Sequence, residues 1–81
     1  MIATPAKRDL KRLDEQSRLR VMKAIWRLAE ADYGDVVQLK GEDPPQWRLR
    51  VGDWRVLFVY RRADGLISIV RVLPRGKAYD R

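Results

Sequence analysis

Two patterns divide the chain. Between residues 4 and 33 apolar positions recur every three or four residues; beyond Gly34 they alternate or run together. The first pattern predicts two helices. The segment TPAKRDLKRL carries a start signal, with Thr4 placed to cap and Pro5 at the first helical position, where a missing N–H costs nothing. Leu10 and Leu13 mark the apolar edge of this helix. Asp14 is placed to cap a second helix running to about Asp32 or Tyr33, with Gly34 as its stop. Leu19, Met22, Ile25, Trp26 and Ala29 recur at helical spacing, and Val21 and Leu28 widen the stripe. That spacing predicts a buried face with Trp26 in the core.

The second pattern predicts strands. DVVQLK suits a short edge strand, QWRLRV alternates, and WRVLFVYR is apolar on both sides, as a central strand is. LISIVRVL follows, entered through the turn dipeptide Asp64-Gly65 and ended by Pro74. Helices before strands predict an α+β fold: an N-terminal helical hairpin packed on a small antiparallel sheet of three to four strands. No interdomain linker or repeat appears, so residues 1–81 are expected to form a single domain.

If Gly52-Asp53 is a two-residue turn, Val51 faces Trp54, Arg50 faces Arg55, Leu49 faces Val56 and Arg48 faces Leu57. Trp47, Leu49, Val51, Trp54, Val56 and Phe58 then share one face, the expected core face. Arg48, Arg50 and Arg55 share the other. Like charges directly opposite each other destabilise a sheet. Two readings fit: a face built to hold a polyanion, or a solvated face whose arginine stems lie over apolar neighbours. A two-residue loop at Asp64-Gly65 would set Pro74 opposite Arg55, with Arg75 beside the cluster and Lys77 and Tyr79 within reach. Arg61 projects from the same face nearer the far end. Such a basic cleft with an aromatic rim suits phosphate clamping and base stacking.

Composition sharpens this. The 81 residues contain 18 Lys and Arg against 11 Asp and Glu, a net charge of +7. The first 35 residues carry only +2 of it; the excess is arginine in strand-like sequence. Nucleic acid is the first expected partner. Cysteine and histidine are absent, which excludes disulfides and Cys or His metal sites. No metal or cofactor is expected. No segment reads as membrane-spanning, so a cytoplasmic setting without membrane contact is expected.

AKRDLKRLDEQSRLRVMKAIWRLA, LKG, WRLRVGDWRVLFVY and VRVLPRGKAY, from about Ala3 to Tyr79, resemble the RelE/ParE superfamily of bacterial toxins. The resemblance implies a toxin of a type II toxin–antitoxin pair, held inactive by a cognate acidic antitoxin. Members of the RelE branch enter the ribosomal A site and cut mRNA; members of the ParE branch inhibit DNA gyrase. The RelE-like reading implies an endoribonuclease (an mRNA interferase) that inhibits translation, with a ParE-like gyrase inhibitor as the alternative. A nucleic-acid-binding module without activity is a third reading. The resemblance assigns catalytic roles to Arg48, Arg50, Arg55, Arg75 and Tyr79. Lys40, Arg61 and Lys77 are the further cations expected to meet RNA. Two departures stand out. The family's opening strand is very short or missing here, only Met1-Ile2-Ala3 remaining, and Leu73-Pro74 stands where the family has Gly-His.

Such a nuclease needs no metal, because RNA carries its own nucleophile in the 2′-OH. Guanidiniums grip phosphate with paired bonds and stay ionised. Tyr79 is a candidate base or a stacking platform; ordinary C-terminal packing is the alternative.

Overall fold

The structure, a computed structural model, describes residues 1–61 and 65–77. Helices α1 (Thr4–Arg12) and α2 (Glu15–Ala31) precede strands β1 (Asp35–Gln38), β2 (Trp47–Val51), β3 (Trp54–Arg61) and β4 (Leu66–Pro74). The strands form one antiparallel sheet in the order β1-β2-β3-β4. The fold is α+β.

The helix ends are set by short-range polar chemistry. Thr4 does not cap α1; it lies inside the helix, and the cap position falls on Ala3, which offers no side-chain acceptor. Pro5 sits in the first turn as expected. At the other end the Arg18 guanidinium donates to the Leu13 carbonyl at 3.1 Å and to that of Leu10 at 3.5 Å, closing orphan acceptors of α1 from the next helix. Asp14 caps α2, its carboxylate accepting from the Ser17 N–H at 3.1 Å. The left-handed residue that ends α2 is Asp32, at φ 53°, two residues before the expected Gly34. Asp tolerates this conformation better than most residues.

The buried face of α2 differs from the expected stripe. Val21, Ile25 and Leu28 point into the core, while Leu19 and Trp26 are 63% and 64% exposed, and Met22 and Ala29 lie outside too. Trp26 follows Ile25 by one residue, so it is turned about 100° away from it. The helix is apolar on two sides, and spacing alone does not say which side meets the sheet.

The core joins Ala6, Leu10 and Leu13 of the first helical segment to Val21, Ile25 and Leu28, and both to Leu49, Val51, Val56, Phe58, Ile67, Ile69 and Val72 of the sheet. Trp47 and Trp54 are half-buried at its border. The opening strand of the family survives as one bridge. Ile2 pairs in parallel with Ile69, with Ala3 N–H donating to the Ile69 carbonyl at 2.9 Å and Ile69 N–H to that of Met1 at 2.8 Å. This short segment covers part of the otherwise open edge of β4.

The β3–β4 register departs from expectation. Arg61 pairs with Leu66, so residues 62–65 connect the strands, and a bulge at Leu57/Phe58 shifts the rest. Pro74 therefore faces Trp54, and Leu73 faces Arg55. Of the expected Asp64-Gly65 turn, Asp64 lies outside the described residues. No described helix is long and apolar enough to cross a membrane.

Candidate functional site

The β2–β3 hairpin forms in the register its turn dictates. Arg50 pairs with Arg55, Arg48 with Leu57, Leu49 with Val56 and Val51 with Trp54. Gly52 takes φ +57°, which glycine supplies without strain at the first central position of a tight hairpin. Leu49, Val51, Val56 and Phe58 consequently enter the core beneath the helices, and Arg48, Arg50 and Arg55 share the opposite face.

The close approach of like charges is relieved by separate acceptors. Arg50 reaches across to its β1 neighbour Asp35, Nη2 to Oδ2 at 2.7 Å, in a pair open to solvent. Arg55 folds back over its own turn, Nη1 donating to the Gly52 carbonyl at 2.7 Å and the Trp54 carbonyl at 2.9 Å. It is only 4% exposed, whereas Arg48 is half-buried and Arg50 exposed. The three guanidiniums on this face are thus graded: one outward and ion-paired, one intermediate, one buried and fixed.

Arg75 joins them through the backbone. Its N–H donates to the Asp53 carbonyl at 2.7 Å, which holds the loop after β4 against the hairpin turn. The Arg75 side chain is exposed, and the Lys77 N–H donates to the Pro74 carbonyl at 3.2 Å, which closes the turn after β4. Lys40 and Arg61 lie at the other end of the sheet. Lys40 follows β1 past the Gln38–Trp47 pair, and Arg61 sits at the end of β3, its Nη1 3.2 Å from Met1 Sδ. Tyr79 lies outside the described residues.

A second polar feature escaped the sequence reading. Asp9 of α1 is 5% exposed and receives Arg71 Nε at 2.7 Å, Arg71 Nη2 at 3.0 Å and the Val72 N–H at 2.8 Å. Burial alone would raise the Asp9 carboxyl pKa. The bonds from Arg71 and Val72, helped by the charges of Arg71 and Arg12, outweigh it and hold the pKa below the ordinary value. The partners are 62 residues apart, beyond the reach of any local pattern. They floor a cavity of about 360 Å³ whose wall includes Arg12, Trp54, Pro74 and Lys77. Among the described residues no group of three acidic, His or Cys side chains is placed to hold a metal.

The arrangement offers fixed and mobile positive charge around one hairpin turn. That can neutralise a phosphodiester, and the carboxylate beside the arginines, Asp35, is engaged by Arg50. The comparisons agree with a toxin fold. A chain of the archaeal RelE-RelB complex from Pyrococcus horikoshii OT3 is 26% identical, superposes with a TM-score of 0.76, and the match covers 94% of this chain and 92% of that one. A chain of the RelB-RelE antitoxin-toxin complex from Methanococcus jannaschii is 25% identical with a TM-score of 0.77, over 99% and 95% of the two chains. The toxin-antitoxin complex RelBE2 from Mycobacterium tuberculosis, 23% identical with a TM-score of 0.60 over 93% and 94%, shares the fold. No curated protein matches. The family model of the ParE toxin of the type II parDE toxin-antitoxin system matches residues 1–79. With nearly the whole chain matched, the protein belongs to this family of type II toxins, within the RelE/ParE superfamily.

Proposed function

We propose that this toxin is a ribosome-dependent mRNA endonuclease that acts in the cytoplasm and is neutralised by an acidic antitoxin. The observation that carries the reading is the shared sheet face of Arg48, Arg50 and Arg55, with the backbone of Arg75 held against the same hairpin turn. The likeness to chains of two archaeal RelE–RelB complexes supports it. In the proposed reaction the RNA 2′-oxygen attacks phosphorus and the bond to O5′ breaks. A 2′,3′-cyclic phosphate and a 5′-hydroxyl result, with one proton leaving the nucleophile and one reaching the leaving group.

Arg55 supplies charge that is already oriented, because its turn carbonyls hold it before substrate arrives; preorganised charge of this kind contributes most to such steps. Arg75, its side chain exposed, grips the phosphate or leaving group. Arg48 and Arg50 position the strand, Arg50 exchanging Asp35 for phosphate. Tyr79, outside the described residues, is the proposed proton acceptor.

The second reading, gyrase inhibition, is favoured by the ParE family model and by Leu73-Pro74 in place of Gly-His. Primer extension on transcripts after induction separates the two. Wild type is expected to leave discrete cut ends, and Arg75→Ala to reduce them by about 10²–10³-fold without loss of fold. Intact transcripts with a DNA-damage response would instead establish the gyrase reading.

A further inference from the structure

The cavity between the end of α1 and the end of β4 is built for a charged ligand, and none of Arg48, Arg50, Arg55 and Arg75 lines it. Asp9 holds Arg71 by Nε and Nη2, at 2.7 and 3.0 Å, which fixes the guanidinium while its Nη1 end has no bond to a described residue. The Arg71 side chain remains 39% exposed. Arg12, in the last turn of α1, and Lys77, in the loop after β4, line the same space. These three cations against the one carboxylate of Asp9 leave the lining with a net charge of +2. A helix C-terminus ordinarily repels anions. Here the Arg18 guanidinium already closes the Leu10 and Leu13 carbonyls. Much of the remaining wall is apolar, with the half-buried indole of Trp54 next to its strand partner Pro74. A volume of about 360 Å³ lies at the lower end of the range for small-molecule sites.

We propose that this cavity binds a nucleoside monophosphate, either free or as the end of an RNA chain. A terminal phosphate carries about −1.5 to −2 at neutral pH, which the lining matches; an internal phosphodiester carries a single charge. Arg71 offers a guanidinium oriented before the ligand arrives, the geometry that suits paired bonds to phosphate. Trp54 offers an indole on which a base stacks. A peptide carboxylate would leave one positive charge unmatched and bring no ring to Trp54. The ligand would bridge α1, β4 and the loop after β4, whose Arg75 N–H is held on the Asp53 carbonyl. Occupancy therefore tightens the segment that brings Arg75 to the hairpin turn. The site does not depend on the nuclease reading.

Isothermal titration of the full chain with adenosine 5′-monophosphate, adenosine and inorganic phosphate tests the assignment. The monophosphate is expected to bind, and each fragment to bind at least about tenfold more weakly. Arg12→Ala and Lys77→Ala, at exposed positions, are each expected to weaken the monophosphate about tenfold, with circular dichroism confirming the fold. Arg50→Ala, on the hairpin, is expected to leave its affinity unchanged. No binding, equal binding of either fragment, or unchanged affinity in both cavity variants overturns the proposal. So does weakening by Arg50→Ala as great as that by Arg12→Ala, which would put the nucleotide on the hairpin face. Oligoribonucleotides with and without a terminal phosphate then separate the two sources. A gain in affinity from that phosphate, lost in Arg12→Ala, assigns the site to a chain end; a monophosphate that binds where the oligonucleotides show no such gain assigns it to the free nucleotide. Titration reads no cleavage, so its outcome stands apart from that of primer extension.

Discussion

Single residues in this toxin divide into those that hold charge still and those that leave it available. Arg55 is the first kind: a buried guanidinium bonded to two turn carbonyls contributes to stability as well as to any chemistry. Arg55→Ala leaves those carbonyls without their donor, at about 1–3 kcal/mol. Arg50→Ala removes only a solvent-exposed pair with Asp35, at about 0–1 kcal/mol. Urea unfolding of the two variants checks the ranking; equal midpoints would show that Arg55 holds nothing. Asp9 gives a pH prediction with a definite sign. Its carboxyl titrates lower in the folded chain than unfolded, so its contribution is complete above the ordinary carboxylate pKa of about 3.9 and is lost as pH falls through the folded value. Asp9→Ala strands Arg71 and the Val72 N–H and is expected to cost about 2–3 kcal/mol at neutral pH. The variant should also lose less stability than the wild type between neutral pH and pH 3, measured by thermal unfolding across that range. Parallel profiles would remove Asp9 from the acid response.

At the scale of elements, two glycines join segments that only glycine fits, for different reasons. Gly34 leaves α2 for β1 at φ +151°, and a Cβ there would stand 2.6 Å from Cδ1 of Leu49, a core side chain 1% exposed. Gly52 turns the hairpin at φ +57°, and its Cβ would meet only the mobile end of Arg20, at 2.9 Å. Gly34→Ala is therefore expected to cost about 2–4 kcal/mol, from backbone strain and overpacking together, and Gly52→Ala about 1–2 kcal/mol from conformation alone. Chemical denaturation that ranks them the other way would contradict this account of the turn. The same elements show what local sequence can encode. The Gly52-Asp53 turn and strict alternation fixed the β2–β3 register, pair by pair, because a one-residue slip would have turned every arginine inward. The β3–β4 pairing had no such signal: pairing Arg61 with Leu66 moves the register two positions from that of a two-residue Asp64-Gly65 loop, the bulge at Leu57/Phe58 returns one, and an apolar run reads alike before and after either shift, so Pro74 lies one position from its expected place. Trp26 was misplaced for a related reason, since α2 is apolar on two sides and only the sheet beneath decides between them. Asp9 and Arg71 meet across 62 residues, a distance at which spacing carries no information.

For the whole molecule the net +7 matters less than its placement. Helices cover one face of the sheet, and the cations around the hairpin turn lie on or beside the other, so an RNA strand bound there would displace counterions from a few residues rather than from the entire surface. For single strands the slope of log K against log salt is about −0.7 per phosphate contact. With Arg48, Arg50 and Arg75 each taking one phosphate, the proposed site predicts a slope near −2 for a short oligoribonucleotide. Arg75→Ala should make that slope shallower by about 0.7 and weaken binding similarly for every sequence tested. Lys40→Ala, at the opposite end of the sheet, should change neither quantity for an oligonucleotide too short to span it. Fluorescence anisotropy over a range of salt concentrations measures both. A slope that Lys40→Ala lowers as much as Arg75→Ala does would mean that the charge acts as a diffuse cloud. The hairpin would then be no site at all, and the nuclease reading would lose the geometry on which it stands.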